Sequence, residues 1–168
     1  HRDLHSFPTR RSSDLVFGDG PPPADSEGGL PILVVGLGPA GVRVVDSLVE
    51  KGHRPVLLEL NARTARLANE HRLPVYIGNA AQAAVLEHLG VHRFQVVAVT
   101  VPDPRNARTI VEHVRRLAPD AVVVARARYH VLRWELEMAG AAVVIDEESH
   151  VGERMGRELA RVLAGDNA

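Results

Sequence analysis

The sequence predicts an α/β fold, a doubly wound and mostly parallel sheet of six strands followed by a C-terminal helix. Three observations carry this expectation. Short runs of Val, Ile and Leu alternate with segments of helical period along the chain. The runs are nearly continuous in apolar character, as strands buried on both faces of a parallel sheet must be. A glycine-rich turn, Gly36-Leu37-Gly38-Pro39-Ala40-Gly41, stands where the first run ends and the first helical segment begins.

The elements follow in order from the N-terminus. Residues 1–15, HRDLHSFPTRRSSDL, have no helical or strand period, and they match the in-frame translation of a common short-read sequencing adapter. We read them as an artefact and leave them out of the fold, which also implies that the natural chain continues upstream. Residues 16–29, VFGDGPPPADSEGG, are rich in Pro, Gly and acidic residues and read as a linker. The folded domain is expected over 30–147. Its apolar runs are Pro31–Val35, Pro55–Leu60, Val75–Ile77, Gln95–Val101, Ala121–Ala125 and Ala142–Ile145. Between them, Val42, Val45, Leu48 and Val49 share one helical face, as do Val85, Leu86 and Leu89, then Ile110, Val111, Val114 and Leu117, then Leu132 and Leu136. Leu67 marks a further helical segment. A terminal helix is expected within 148–168, from about Val151 to Leu163, carrying Met155, Leu159, Val162 and Leu163. Strand–helix alternation of this kind closes with right-handed crossovers.

Composition excludes several functions. The chain has 168 residues, 20 Lys+Arg against 21 Asp+Glu, no Cys, and 45% hydrophobic residues. Without residues 1–15 the balance is 17 basic to 19 acidic, so nothing electrostatic argues for nucleic acid as partner. The lack of Cys rules out disulfides, a thiolate nucleophile and Cys-ligated zinc. The longest uncharged stretch, 28–42, is too short and too rich in Gly and Pro for the roughly 20 apolar residues of a spanning helix.

The glycine turn has the spacing GxGxxG. Gly36 would allow the tight turn, Gly38 the approach of a pyrophosphate to the backbone, and Gly41 close packing of helix on strand. The positive end of the helix dipole, at Pro39 and Ala40, and the free N–H groups of that first turn, which Pro39 itself lacks, would then face the phosphates. Glu59 closes the second strand eighteen residues past Gly41, with Leu60 beside it. An acidic group at that place takes ribose hydroxyls and repels a 2′-phosphate, favouring NAD(H) or an AMP-type adenine nucleotide over NADP(H). Nearby Arg63 works against that preference. The alternative is a glycine turn that serves packing alone.

Other strand ends are candidates by position, because such sheets bind ligands beyond their carboxyl edges. Asn79 and Ala80 follow the third strand, Thr100 and Val101 the fourth, and Arg126 the fifth. Asn79 suits an adenine edge or a cap for a helix starting near Ala81, Thr100 suits a ligand cap, and Arg126 suits a phosphate. No metal is expected, because the histidines show no ligand pair such as H-E-x-x-H. No nucleophile motif such as G-x-S-x-G occurs either. Glu147, Glu148 and Glu153 read as an acidic helix start favoured by the dipole, with a metal or activator site as the alternative. No catalytic residue is assigned, and hydride transfer is not expected, since few residues follow the last helix to build a substrate domain.

The succession GLGPAG, LLELN, PVYIGNAAQAAVLEHLGV, VVAVTVPDPRNARTIVEHVRRLAPDAVVVARAR and ELEMAGAAVVIDEE resembles the Rossmann-like N-terminal RCK (regulator of potassium conductance) domain. More narrowly, it is similar to the cytoplasmic C-terminal domain of Kef-type monovalent cation:proton antiporters. The resemblance covers Ile32 to about Leu163, and its PVxxGxAxxxxVLxxxGV and GAxxVI segments are more specific than GxGxxG. It implies nucleotide contacts at Gly36, Gly38, Gly41, Glu59, Asn79, Thr100 and Arg126. Asn79 departs from the family, which usually has Asp there in a GDA sequence. The resemblance further implies a transmembrane K+(Na+)/H+ antiporter domain of the same polypeptide upstream, at the cytoplasmic face of the membrane. A homodimer crossed over by the last helix is also implied. Two alternatives stay open: an RCK subunit or domain of a K+ channel or K+-uptake system, and an NAD-dependent oxidoreductase fragment.

Overall fold

The computed structural model describes residues 30–68 and 70–165. The expected artefact, the expected linker and the side chain of Leu67 lie outside the described residues. Six strands form one sheet: β1 (Ile32–Val35), β2 (Val56–Glu59), β3 (Val75–Ile77), β4 (Val96–Val99), β5 (Val122–Ala127) and β6 (Val143–Asp146). Their order is β3-β2-β1-β4-β5-β6, and every pairing is parallel. The sequence expectation of a mostly parallel, doubly wound sheet therefore holds, with the sheet parallel throughout.

Connecting helices are α1 (Pro39–Glu50), α2 (Ala62–Ala68), α3 (Ala83–Leu89), α4 (Pro104–Leu117) and α5 (Arg133–Ala139), with α6 (Glu147–Leu163) after β6. Successive strand residues point to opposite faces, and both faces are dry at the sheet centre. Leu33, Val35, Val97 and Val99 pack on one side with Val85, Leu86, Ile110, Val111 and Val114 of α3 and α4. Ile32, Val34 and Leu57 pack on the other side with Val45 of α1. Val/Ile/Leu runs without alternation are what two covered faces require.

Two differences from the sequence expectation have local causes. Helix α3 begins at Ala83, not near Ala81, because the Asn79 side chain accepts the Ala81 N–H at 2.9 Å and closes a turn ahead of the helix. Helix α6 begins at Glu147, not Val151, because Asp146 caps it through the N–H groups of Glu148 and Ser149. His71 lies in the turn beyond α2 and meets Asp46 of α1 at 2.8 Å.

The far edge of the sheet is built differently. Val123, Ala125 and Ala127 of β5 join the α4 side of the core. On the opposite face, Val122, Val143 and Ile145 are exposed, and α6 buries none of its own residues. Among the described residues no helix is long and apolar enough to cross a membrane.

Candidate functional site

The strand order reverses between β1 and β4, and a cleft of about 280 Å³ opens there beyond the strand ends. Such a switch point is where the two crossovers diverge and leave room for a ligand. The glycine turn forms one wall. Gly36 has φ +94°, and its N–H donates to Leu58 O at 2.8 Å, which ties the turn to β2. A Cβ on Gly41 would sit 2.0 Å from Gly36 O, so that position is glycine for packing. Gly38 differs from both. Its φ is −65° and a Cβ there would meet nothing within 4 Å. Neither backbone strain nor protein packing asks for glycine at 38, and the open space faces the cleft. Gly38 caps α1, with Pro39 and Ala40 in its first turn, so the helix presents its unpaired N–H end at the cleft.

Glu59 reaches the same turn from β2. Its Oε2 accepts the Leu37 N–H at 2.6 Å and its Oε1 accepts the Asn61 N–H at 2.8 Å. The carboxylate thus fixes the turn while standing at the rim, beside exposed Leu60. Asn79 lies across the cleft, its amide oxygen used by Ala81 and its amide N–H₂ left as a donor. Thr100 forms the floor and is buried. Its hydroxyl lies 2.9 Å from Gly36 O and 3.1 Å from Val35 O, so it can donate to either. The arrangement offers N–H donors and a helix dipole for an anion, a carboxylate for hydroxyls, and apolar walls for a flat ring.

Eight of the twelve sequence-predicted positions line this cleft: Gly36, Gly38, Glu59, Leu60, Asn79, Ala80, Thr100 and Val101. Pro39, Ala40 and Gly41 lie behind it in α1. Arg126 stands outside the lining, beyond the floor, where its Nη1 donates to Thr100 O at 3.1 Å and its Nε to Glu147 of α6. Burial, then the charge of Arg128, pulls the Arg126 pKa below the usual arginine value. Thr64 and Asn106 also line the cleft and went unnoticed in the sequence. Both sit in the opening turns of helices that follow strands, the only signal that could have marked them.

A second polar cluster was also missed. Asp146 is buried and pairs with His130, and it accepts Ser149 Oγ–H at 2.8 Å. The His130 hydrogen bond, then those of Ser149, hold its pKa at about 2 against the ordinary 3.8, overcoming an opposing effect of burial.

A 3-2-1-4-5-6 parallel sheet with a glycine turn at its switch point places the chain in the Rossmann class of α/β domains. Within that class it belongs to the TrkA-N domain family, whose model matches residues 32–147. Solved structures share the fold. The TrkA-N domain of inner membrane protein ybaL from Escherichia coli is 24% identical, with TM-score 0.71, over 77% of this chain and 96% of that one. The Shewanella denitrificans Kef C-terminal domain in AMP-bound form is 22% identical, with TM-score 0.69, over 79% and 80%. The GsuK channel bound to NAD is 22% identical, with TM-score 0.63, over 72% of this chain but only 22% of that one.

Proposed function

We propose that this chain is the nucleotide-sensing regulatory domain of a monovalent cation transporter, and that its cleft takes NAD(H) or an AMP-type adenine nucleotide. Gly38 carries the reading: a glycine with no backbone or packing need, facing a cleft at a helix N-terminus, is explained by a ligand phosphate in the open space. Glu59 supports a ribose with a free 2′-hydroxyl. The AMP-bound Kef domain and the NAD-bound GsuK channel, which share the fold, support the ligand class.

The Kef likeness favours a K+(Na+)/H+ antiporter, with the domain at the cytoplasmic face and tied to a transmembrane domain of the same polypeptide. A K+ channel or uptake system is the second reading, and the GsuK likeness supports it. In either, a nucleotide acts only if it binds one arrangement of the domain better than another, which makes the role regulatory and not catalytic.

A homodimer belongs to the same proposal. Val151, Met155, Leu159 and Val162 form a stripe along α6, each more than half exposed, while Val122, Val143 and Ile145 leave one sheet face bare at its β5–β6 edge. A second copy of α6 fits that face, and burying both removes apolar surface from water. Thermal melting with AMP and with NADH tests the central claim. Both should raise the melting temperature in a dose-dependent way, and no shift with either would overturn it.

A further inference from the structure

The cleft and α6 are joined by one polar chain. Thr100 stands between them: its hydroxyl bonds the carbonyl of Gly36, where the glycine turn begins, and its own carbonyl accepts from Arg126. The guanidinium also bonds Glu147, the first residue of α6. Pro102 lines both the cleft and a small cavity that Arg126 also lines, so the two adjoin at that residue. Helix α6 has no buried residue, so it is held to the domain by polar contacts of its first turn. These are the Asp146 cap, the bond from the His130 N–H to Glu148, and the Arg126–Glu147 pair.

We propose that Arg126 is a positioning residue that exchanges partners: a phosphate in the cleft draws its guanidinium from Glu147, and the first turn of α6 is released. The proposal rests on the nucleotide reading of the cleft. A guanidinium largely out of water needs a counterion, and a phosphate is the stronger one, with more charge and more acceptor oxygens than a carboxylate. Arg128 nearby adds repulsion that a dianion relieves better than a monoanion. Because Glu147 and the ligand compete for one cation, removing Glu147 should strengthen ligand binding. A merely structural ion pair would leave binding unchanged or weaken it.

The test is calorimetric titration of AMP and adenosine into the full chain, its Glu147→Gln and Arg126→Gln variants, and the double variant. With E147Q, AMP should bind about fivefold tighter or more while adenosine, lacking phosphate, is unaffected. That gain should vanish in the R126Q background, which separates exchange from the general loss of a negative charge near the cleft. Hydrogen exchange gives a second reading: AMP should speed exchange at Glu148 and Ser149 in the wild-type chain and not in R126Q. Equal AMP affinity in wild type and E147Q, or a gain that persists with R126Q, overturns the exchange and leaves the nucleotide reading standing. Failure of AMP and NADH alike to bind the wild-type chain overturns both.

Discussion

Gly38 and Gly41 are the same residue for opposite reasons, and substitution tells them apart. A methyl on Gly41 meets the Gly36 carbonyl at 2.0 Å, so Gly41→Ala should destabilise the fold by about 3 kcal/mol, at the upper end of over-packing costs. A Cβ at position 38 meets no protein atom within 4 Å, so Gly38→Asp should move stability by no more than about 0.5 kcal/mol while abolishing the thermal shift with AMP or NADH. An unchanged shift in that variant would remove the phosphate from the glycine turn. Glu59 has two tasks in one carboxylate. It holds Leu37 N–H, and in the nucleotide reading it also takes a ribose hydroxyl and repels a 2′-phosphate. Glu59→Ala should therefore weaken NADH by about 1.5–3 kcal/mol, the worth of a charged hydrogen bond, and narrow the gap between NADH and NADPH. Titration of both cofactors checks it, and an unaltered NADH/NADPH ratio would return Glu59 to a purely structural role.

Among the elements, α6 stands apart because its anchorage is polar and its long face is apolar. Asp146 is the centre of that anchorage, and its depressed pKa sets a pH signature. A carboxyl held lower in the folded chain than in the unfolded one stabilises fully above 3.8 and loses that contribution as pH falls through about 2. Asp146→Asn keeps a capping oxygen but removes the titration, so its stability should fall less than that of wild type across this acid window. Denaturant melts at stepped pH would show it, and parallel curves would refute it. The apolar face predicts association. Leu159→Glu should shift the chain from dimer to monomer in sedimentation without lowering helix content, and a wild-type chain that is monomeric at all concentrations would count against the dimer. Element boundaries show what a sequence conceals. Strands were legible because two dry faces force unbroken apolar runs, as at Leu33, Val34 and Val35. Helix starts were less so, since whether Asn79 or Asp146 spends its side chain on a turn or a cap depends on backbone geometry. The Arg126–Glu147 and His130–Asp146 pairs join residues 21 and 16 apart, beyond the reach of any local pattern.

At the scale of the whole molecule, the cleft is where both halves of the sheet meet. Its walls come from β1 and β2 on one side of the switch point and from the end of β4 on the other. This much was legible, because the glycine turn and the strand ends are fixed to the sheet by hydrophobic periodicity. Thr64 and Asn106 escaped because α2 and α4 bring them to the cleft only through the crossovers. A ligand seated there bridges segments distant in sequence and cannot bind an unfolded chain, so its full binding energy adds to the stability of the domain. At a concentration one hundred times its dissociation constant it contributes about 2.7 kcal/mol. For a chain of this length each kcal/mol raises the melting temperature by roughly 2–4 °C, so AMP or NADH should raise it by about 5–10 °C. The rise should come as one sharpened transition, since the cleft belongs to a single sheet. A ligand acting on only one half would instead split the melt in two, and that outcome would move the site away from the switch point.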